Sequence, residues 1–103
     1  MKTSTWKAAE RRIAEMIGGV RVPVSGRHTR GHQPDIEHDR FSIEVKHRKT
    51  LPAWLHDAMD QAVKSKRGCQ LPLVVLHSKN QRYEDSFCVV RLKDIQEMED
   101  GSG

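Results

Sequence analysis

Aromatic residues make up only 5% of this 103-residue chain, but a hydrophobic content of 36% still belongs to a globular protein rather than a disordered one. Cysteine is almost missing: Cys69 and Cys88 stand nineteen residues apart, without a CxxC pair or metal-ligand spacing. That excludes a cysteine-built zinc site, and Cys88, inside an apolar run, reads as a buried small hydrophobe. The longest apolar run, 71–76, is far too short to span a bilayer. The stretch from Lys2 to Arg12 is polar and helical in pattern, unlike a signal peptide, so a soluble, cytoplasmic protein with no membrane partner is expected. No GxxxxGK[ST] or GxGxxG segment occurs, which disfavours a nucleotide cofactor, and no internal repeat is visible.

What is present is charge, unevenly placed. Residues 1–50 carry eleven basic and six acidic side chains, whereas 51–103 carry seven and eight. A basic half on a small protein points to a polyanionic partner, nucleic acid before membrane. A chain of this length has room for one core, so a single domain over 1–100 is expected, with 101–103 as a flexible tail. Such a domain buries roughly two thirds or less of its unfolded surface, and a dimer would help it.

Periodicity orders the elements. Trp6, Ala9, Ile13, Met16 and Ile17 form one helical stripe within 3–17, closed by Gly18-Gly19. Val20, Val22 and Val24 alternate as a strand, with Pro23 marking an edge or bend. Residues 25–33 hold two glycines and no apolar residue, the composition of a mobile loop. Strands over 34–37 and 41–48 form a hairpin about 38–40. Pro52 opens a second helix whose stripe runs from Leu51 to Val63, with Gly68 ending it. The run LPLVVLH (71–77) reads as a central strand covered on both faces, followed by a strand over 86–92 and a helix over 93–98. The order α-β-β-β-α-β-β-α, with a crossover between strands 41–48 and 71–77, predicts an α/β fold with a mixed sheet of about five strands flanked by helices.

Chemistry concentrates in FSIEVKHR (41–48). On a strand, Glu44 and Lys46 share one face while Ile43 and Val45 take the other. A hairpin register centred between Asp39 and Arg40 sets Asp35 opposite Glu44, where cross-strand Cβ atoms lie about 5 Å apart. Two carboxylates that close stay ionised only with a cation between them, and hard oxygen ligands describe a Mg²⁺ site. Projecting the first helix at about 100° per residue puts Glu10 inside the apolar stripe and Arg11 and Arg12 outside it. A carboxylate on a packed face calls for a partner.

Taken together, Glu10-Arg11, the basic glycine-containing loop, Pro34-Asp35, Glu44-Val45-Lys46 and the helix and apolar strand that follow resemble the PD-(D/E)xK nuclease superfamily. Within it, the chain is most similar to the small Holliday junction resolvases of archaea and phages. The resemblance implies a restriction-endonuclease-like core. It also implies phosphodiester hydrolysis with Asp35, Glu44 and the Val45 carbonyl on Mg²⁺ (or Mn²⁺ in its place). Glu10 would be an added ligand or water-orienting group, and Lys46 a catalytic cation. Ser25 is the one serine in the loop where such resolvases carry a functional serine, ten residues ahead of Asp35. Gln61, at the border of the second stripe, is an accessory candidate.

Arg11, Arg21, Arg27, Arg30, Arg48 and Lys49 are the expected phosphate contacts. The implied partners are branched, four-way DNA and a second copy of the chain in a homodimer, in the host cytoplasm if the source is a phage. A superfamily nuclease acting on linear or damaged DNA, or a non-catalytic DNA-binding module of the same fold, are the rival expectations. His28, His32, His38 and His47 could evoke zinc, but 25–33 is too glycine-rich for a helix presenting two of them.

Overall fold

The structure, a computed structural model, describes residues 5–23 and 33–101. The chain divides into two compact units, Met1–Lys49 and Thr50–Gly103. It is mixed α/β, with three α-helices and two small antiparallel sheets among the described residues. No helix among the described residues is long and apolar enough to cross a membrane.

In the first unit, helix α1 (Thr5–Ile17) forms where the apolar stripe predicts it. Gly18 at φ 76° then takes the left-handed conformation that a side chain resists. The Gly19 N–H reaches back to the Ala14 carbonyl at 2.9 Å, a glycine-capped C-terminus. The chain continues into β1 (Val20–Arg21), β2 (Ile36–Glu37) and β3 (Ser42–Ile43), an antiparallel sheet in that order. Ile36, fully buried in the central strand, and Ala14 of α1 are the core. Gly19 lies so close to β2 that a Cβ there would stand 2.6 Å from Ile36 Cγ2.

In the second unit, α2 (Ala53–Ser65) starts after Pro52, whose carbonyl accepts from Leu55 N–H at 3.1 Å. It ends before Gly68, because the Ser65 hydroxyl donates back to the Gln61 carbonyl and Lys66 is already extended. Strands β4 (Val74–Leu76) and β5 (Phe87–Val89) pair antiparallel, Val75 facing Cys88. Their connection turns at 78–81, with Asn80 at φ 71° and the Gln81 N–H on the Ser78 carbonyl at 3.0 Å. Helix α3 (Leu92–Gly101) closes the unit.

Several expectations change. Every strand is shorter than its sequence pattern, and α3 longer than 93–98. The described strands pair only antiparallel, as a three-stranded and a two-stranded sheet; one five-stranded sheet with a parallel crossover is not among these pairings. The run 71–77 is not covered on both faces: Val74 and Leu76 are half-buried, while Leu73 and Val75 are exposed. Cys88 is exposed too, because its cross-strand partner Val75 puts it on that open side. Helix α3 includes Gly101. Residues 24–32, with Ser25, Arg27, His28, Arg30 and His32, and residues 102–103 lie outside the described residues.

Candidate functional site

The β2–β3 hairpin has the register that its sequence predicts, centred between Asp39 and Arg40: Ile36 faces Ile43 and Glu37 faces Ser42. One residue further the ladder breaks. The Asp35 N–H donates to the Ile43 carbonyl at 2.9 Å, so Asp35 and Ile36 both oppose Ile43, the arrangement of a β-bulge. The bulge cancels the alternation at this point, and Asp35 and Ile36 are both buried although adjacent in sequence.

A buried carboxylate needs hydrogen bonds. The Asp35 carbonyl accepts from Val22 N–H at 2.9 Å, which ties β1 to the site. Asp35 Oδ2 accepts from Val45 N–H at 2.7 Å, a short charge-assisted bond. The side chain thus takes the place of a backbone carbonyl, and the ladder stops at Ile43 rather than running on to Arg48. Beyond it Val45 is half-buried while Glu44 and Lys46 are both exposed. Asp35 is thereby clamped to the peptide between Glu44 and Lys46.

Glu10 is buried on α1 with its side chain 5% exposed. Its partner is a cation of this chain: Arg21 Nε donates to Glu10 Oε1 at 2.8 Å. The Arg21 guanidinium carbon also stands 6.0 Å from the centroid of the Trp6 ring, within cation–π range, and Lys7 Nζ is 5.3 Å from that ring. The valine alternation gave no hint of this pairing. Val20 is 67% exposed, and the arginine between the valines turns inward. The available signal was that a carboxylate inside the α1 stripe and an arginine two residues past the glycine cap must lie near each other.

The remaining candidates are dispersed. Arg11, Arg48 and Lys49 are exposed. Gln61 is exposed on α2 in the other unit. His47 is exposed, and His38 Nδ1 accepts from Arg40 N–H at 3.0 Å while its ring stacks on Phe41. Among the described residues, no group of three or more His, Cys, Asp or Glu side chains is gathered as a metal cage. Asp35 is bonded to the backbone of Val45, whose carbonyl and whose neighbour Glu44 are the other oxygen donors that the sequence offers here. Hard oxygens with one or two carboxylates are the donor set that Mg²⁺ accepts alongside water and phosphate, so these residues fit that ion in kind.

Comparison with protein-family models, with curated proteins and with solved structures finds no match to this chain.

Proposed function

We propose that this chain is a metal-dependent endodeoxyribonuclease with a restriction-endonuclease-like core, acting on four-way DNA junctions as a two-fold dimer. One observation carries the reading: the buried Asp35 carboxylate is fixed by Val45 N–H, between the exposed Glu44 and Lys46. A surface hairpin with alternating charge has no need to bury one acid and bond it to the peptide between the two other charged residues.

In this reading Asp35, Glu44 and the Val45 carbonyl would hold Mg²⁺. The ion, when bound, supplies Lewis-acid polarisation of the phosphoryl oxygen and a more acidic water. The protein's own part is positional. The Val45 bond fixes the Asp35 carboxylate before any ligand arrives, so less ordering remains to be done on binding. Lys46, exposed like Glu44, offsets charge that builds on the phosphate in the transition state. Arg11, Arg48 and Lys49 grip neighbouring phosphates, which sets register without reading bases. Shape recognition of that kind suits a branched substrate, and two-fold symmetry suits paired cuts.

The test offers the purified protein with Mg²⁺ a four-way junction, a linear duplex and single-stranded DNA. Paired, symmetric nicks in the junction alone are expected. Equal cutting of the linear duplex refutes the junction preference, and no cutting of any substrate refutes the nuclease.

A further inference from the structure

The sequence pattern made Glu10 a possible metal ligand, but its geometry directs it elsewhere. Glu10 sits on α1 with its carboxylate almost wholly buried, and it meets the Arg21 guanidinium through a single bond, Nε to Oε1 at 2.8 Å. A guanidinium has five N–H donors, and Nε accounts for one. Among the described residues no acceptor takes the Nη hydrogens of Arg21, although its side chain is only 18% exposed. An arginine side chain this buried, with its Nη hydrogens unclaimed among the described residues, has donors left for water or an anion to complete. The surroundings favour an anion. Lys7 and Arg11 stand three residues before and one after Glu10 on α1, which adds two cations to this segment of the helix. The Trp6 ring centroid lies 6.0 Å from the guanidinium carbon.

We propose that Arg21 is a phosphate-binding residue whose guanidinium is aimed by Glu10. Glu10 is then a positioning residue acting through Arg21, not a ligand of the metal. The chemistry recognised is a tetrahedral phosphate oxyanion, which the Arg fork matches with two parallel hydrogen bonds. Its source is a backbone phosphodiester of DNA, a choice that rests on the nuclease reading above.

The experiment follows the Arg21 side-chain Nε–H resonance by NMR in the unaltered protein, during separate titrations with inorganic phosphate and with a four-way junction in EDTA. Fluorescence anisotropy reports DNA binding in parallel. A shift on junction binding is expected. DNA binding without any shift at Arg21 overturns the proposal. A shift with inorganic phosphate in a protein that binds no DNA supports the oxyanion site while refuting the nuclease reading.

Variants supply the second arm. Arg21→Gln should flatten the slope of log affinity against log salt by about one, the change for one lost phosphate contact. Arg21→Lys should keep the slope yet bind more weakly, because it lacks the fork. Glu10→Gln should weaken junction binding while leaving Mn²⁺ affinity, measured by electron paramagnetic resonance without DNA, unchanged. Loss of Mn²⁺ binding in Glu10→Gln with unaltered DNA affinity makes Glu10 a metal ligand and overturns the proposal.

Discussion

Asp35 carries two duties that substitutions can separate. Its carboxylate satisfies the Val45 N–H in a buried place. Asp35→Ala leaves that donor without a partner, an expected cost of about 1–3 kcal/mol in urea denaturation. Asp35→Asn keeps an acceptor of the same shape, so most of the stability should remain while cleavage and Mn²⁺ binding are lost. Glu44 is exposed, and Glu44→Ala should leave stability within about 0.5 kcal/mol of the parent. It should still lower junction cleavage by more than about 100-fold, the upper end for residues that merely support a ligand. A Glu44→Ala protein that unfolds instead would make Glu44 structural. At this scale the sequence singled out Asp35, Glu44 and Lys46 by their spacing, but it set Asp35 opposite Glu44, whereas the Asp35 N–H donates to the Ile43 carbonyl and the ladder ends there. It was silent on the Asp35–Val45 bond, which depends on a bulge that no residue type announces.

Between elements, the junction of α1 and β1 decides how tightly the helix can sit on the sheet. Gly18 supplies the left-handed turn and has open space about it, so Gly18→Ala should cost about 1 kcal/mol for its backbone alone. Gly19 has the reverse problem: an added Cβ meets Ile36 Cγ2 at 2.6 Å and the Glu37 carbonyl oxygen at 2.7 Å. Gly19→Ala should therefore cost more, about 1–3 kcal/mol, by prying α1 from β2. Equal shifts in the two urea midpoints would refute the close approach.

Helix α3 offers a pH test. The Arg91 side chain hydrogen-bonds Asp94 in the first turn, with Nε to Oδ2 at 2.8 Å. That bond holds the Asp94 carboxyl below the ordinary 3.8, against an opposing push from desolvation. A lowered folded value means that the unfolded chain takes up protons first as pH falls. The stabilisation is whole above the unfolded value and disappears as pH drops through the lower folded one. Asp94→Asn should thus be less stable at neutral pH, and its urea midpoint should fall less steeply than the parent's in that acid range. Parallel acid profiles would show that the pair contributes nothing.

For the whole molecule, the uneven charge sets the expected interaction with DNA. Eleven of the eighteen basic residues lie within 1–50, and Arg48 and Lys49 close that segment. Each phosphate contact contributes about −0.9 to the salt slope. Arg48→Ala and Lys49→Ala should each flatten it by about one, whereas Lys64→Ala and Lys79→Ala, in the acidic half, should leave it unchanged. Equal effects from both sets, measured by anisotropy between low and moderate salt, would mean that net charge rather than a defined surface drives binding.

By itself, the sequence determined the helices, the glycine cap and the hairpin register from Ile36 to Ile43. All of these follow from periodicity or steric rules acting over a few residues. Tertiary structure alone decided what the strands pair with, since antiparallel β4–β5 pairing satisfies a ladder that the apolar pattern left open to other partners. It also decided the company of the buried carboxylates. Glu10 and Arg21 are eleven residues apart and meet because the glycine turn folds β1 back along α1. Asp35 meets Val45 because a bulge turns its side chain inward. A buried charge announces in sequence that it must have a partner, and only the fold names which one.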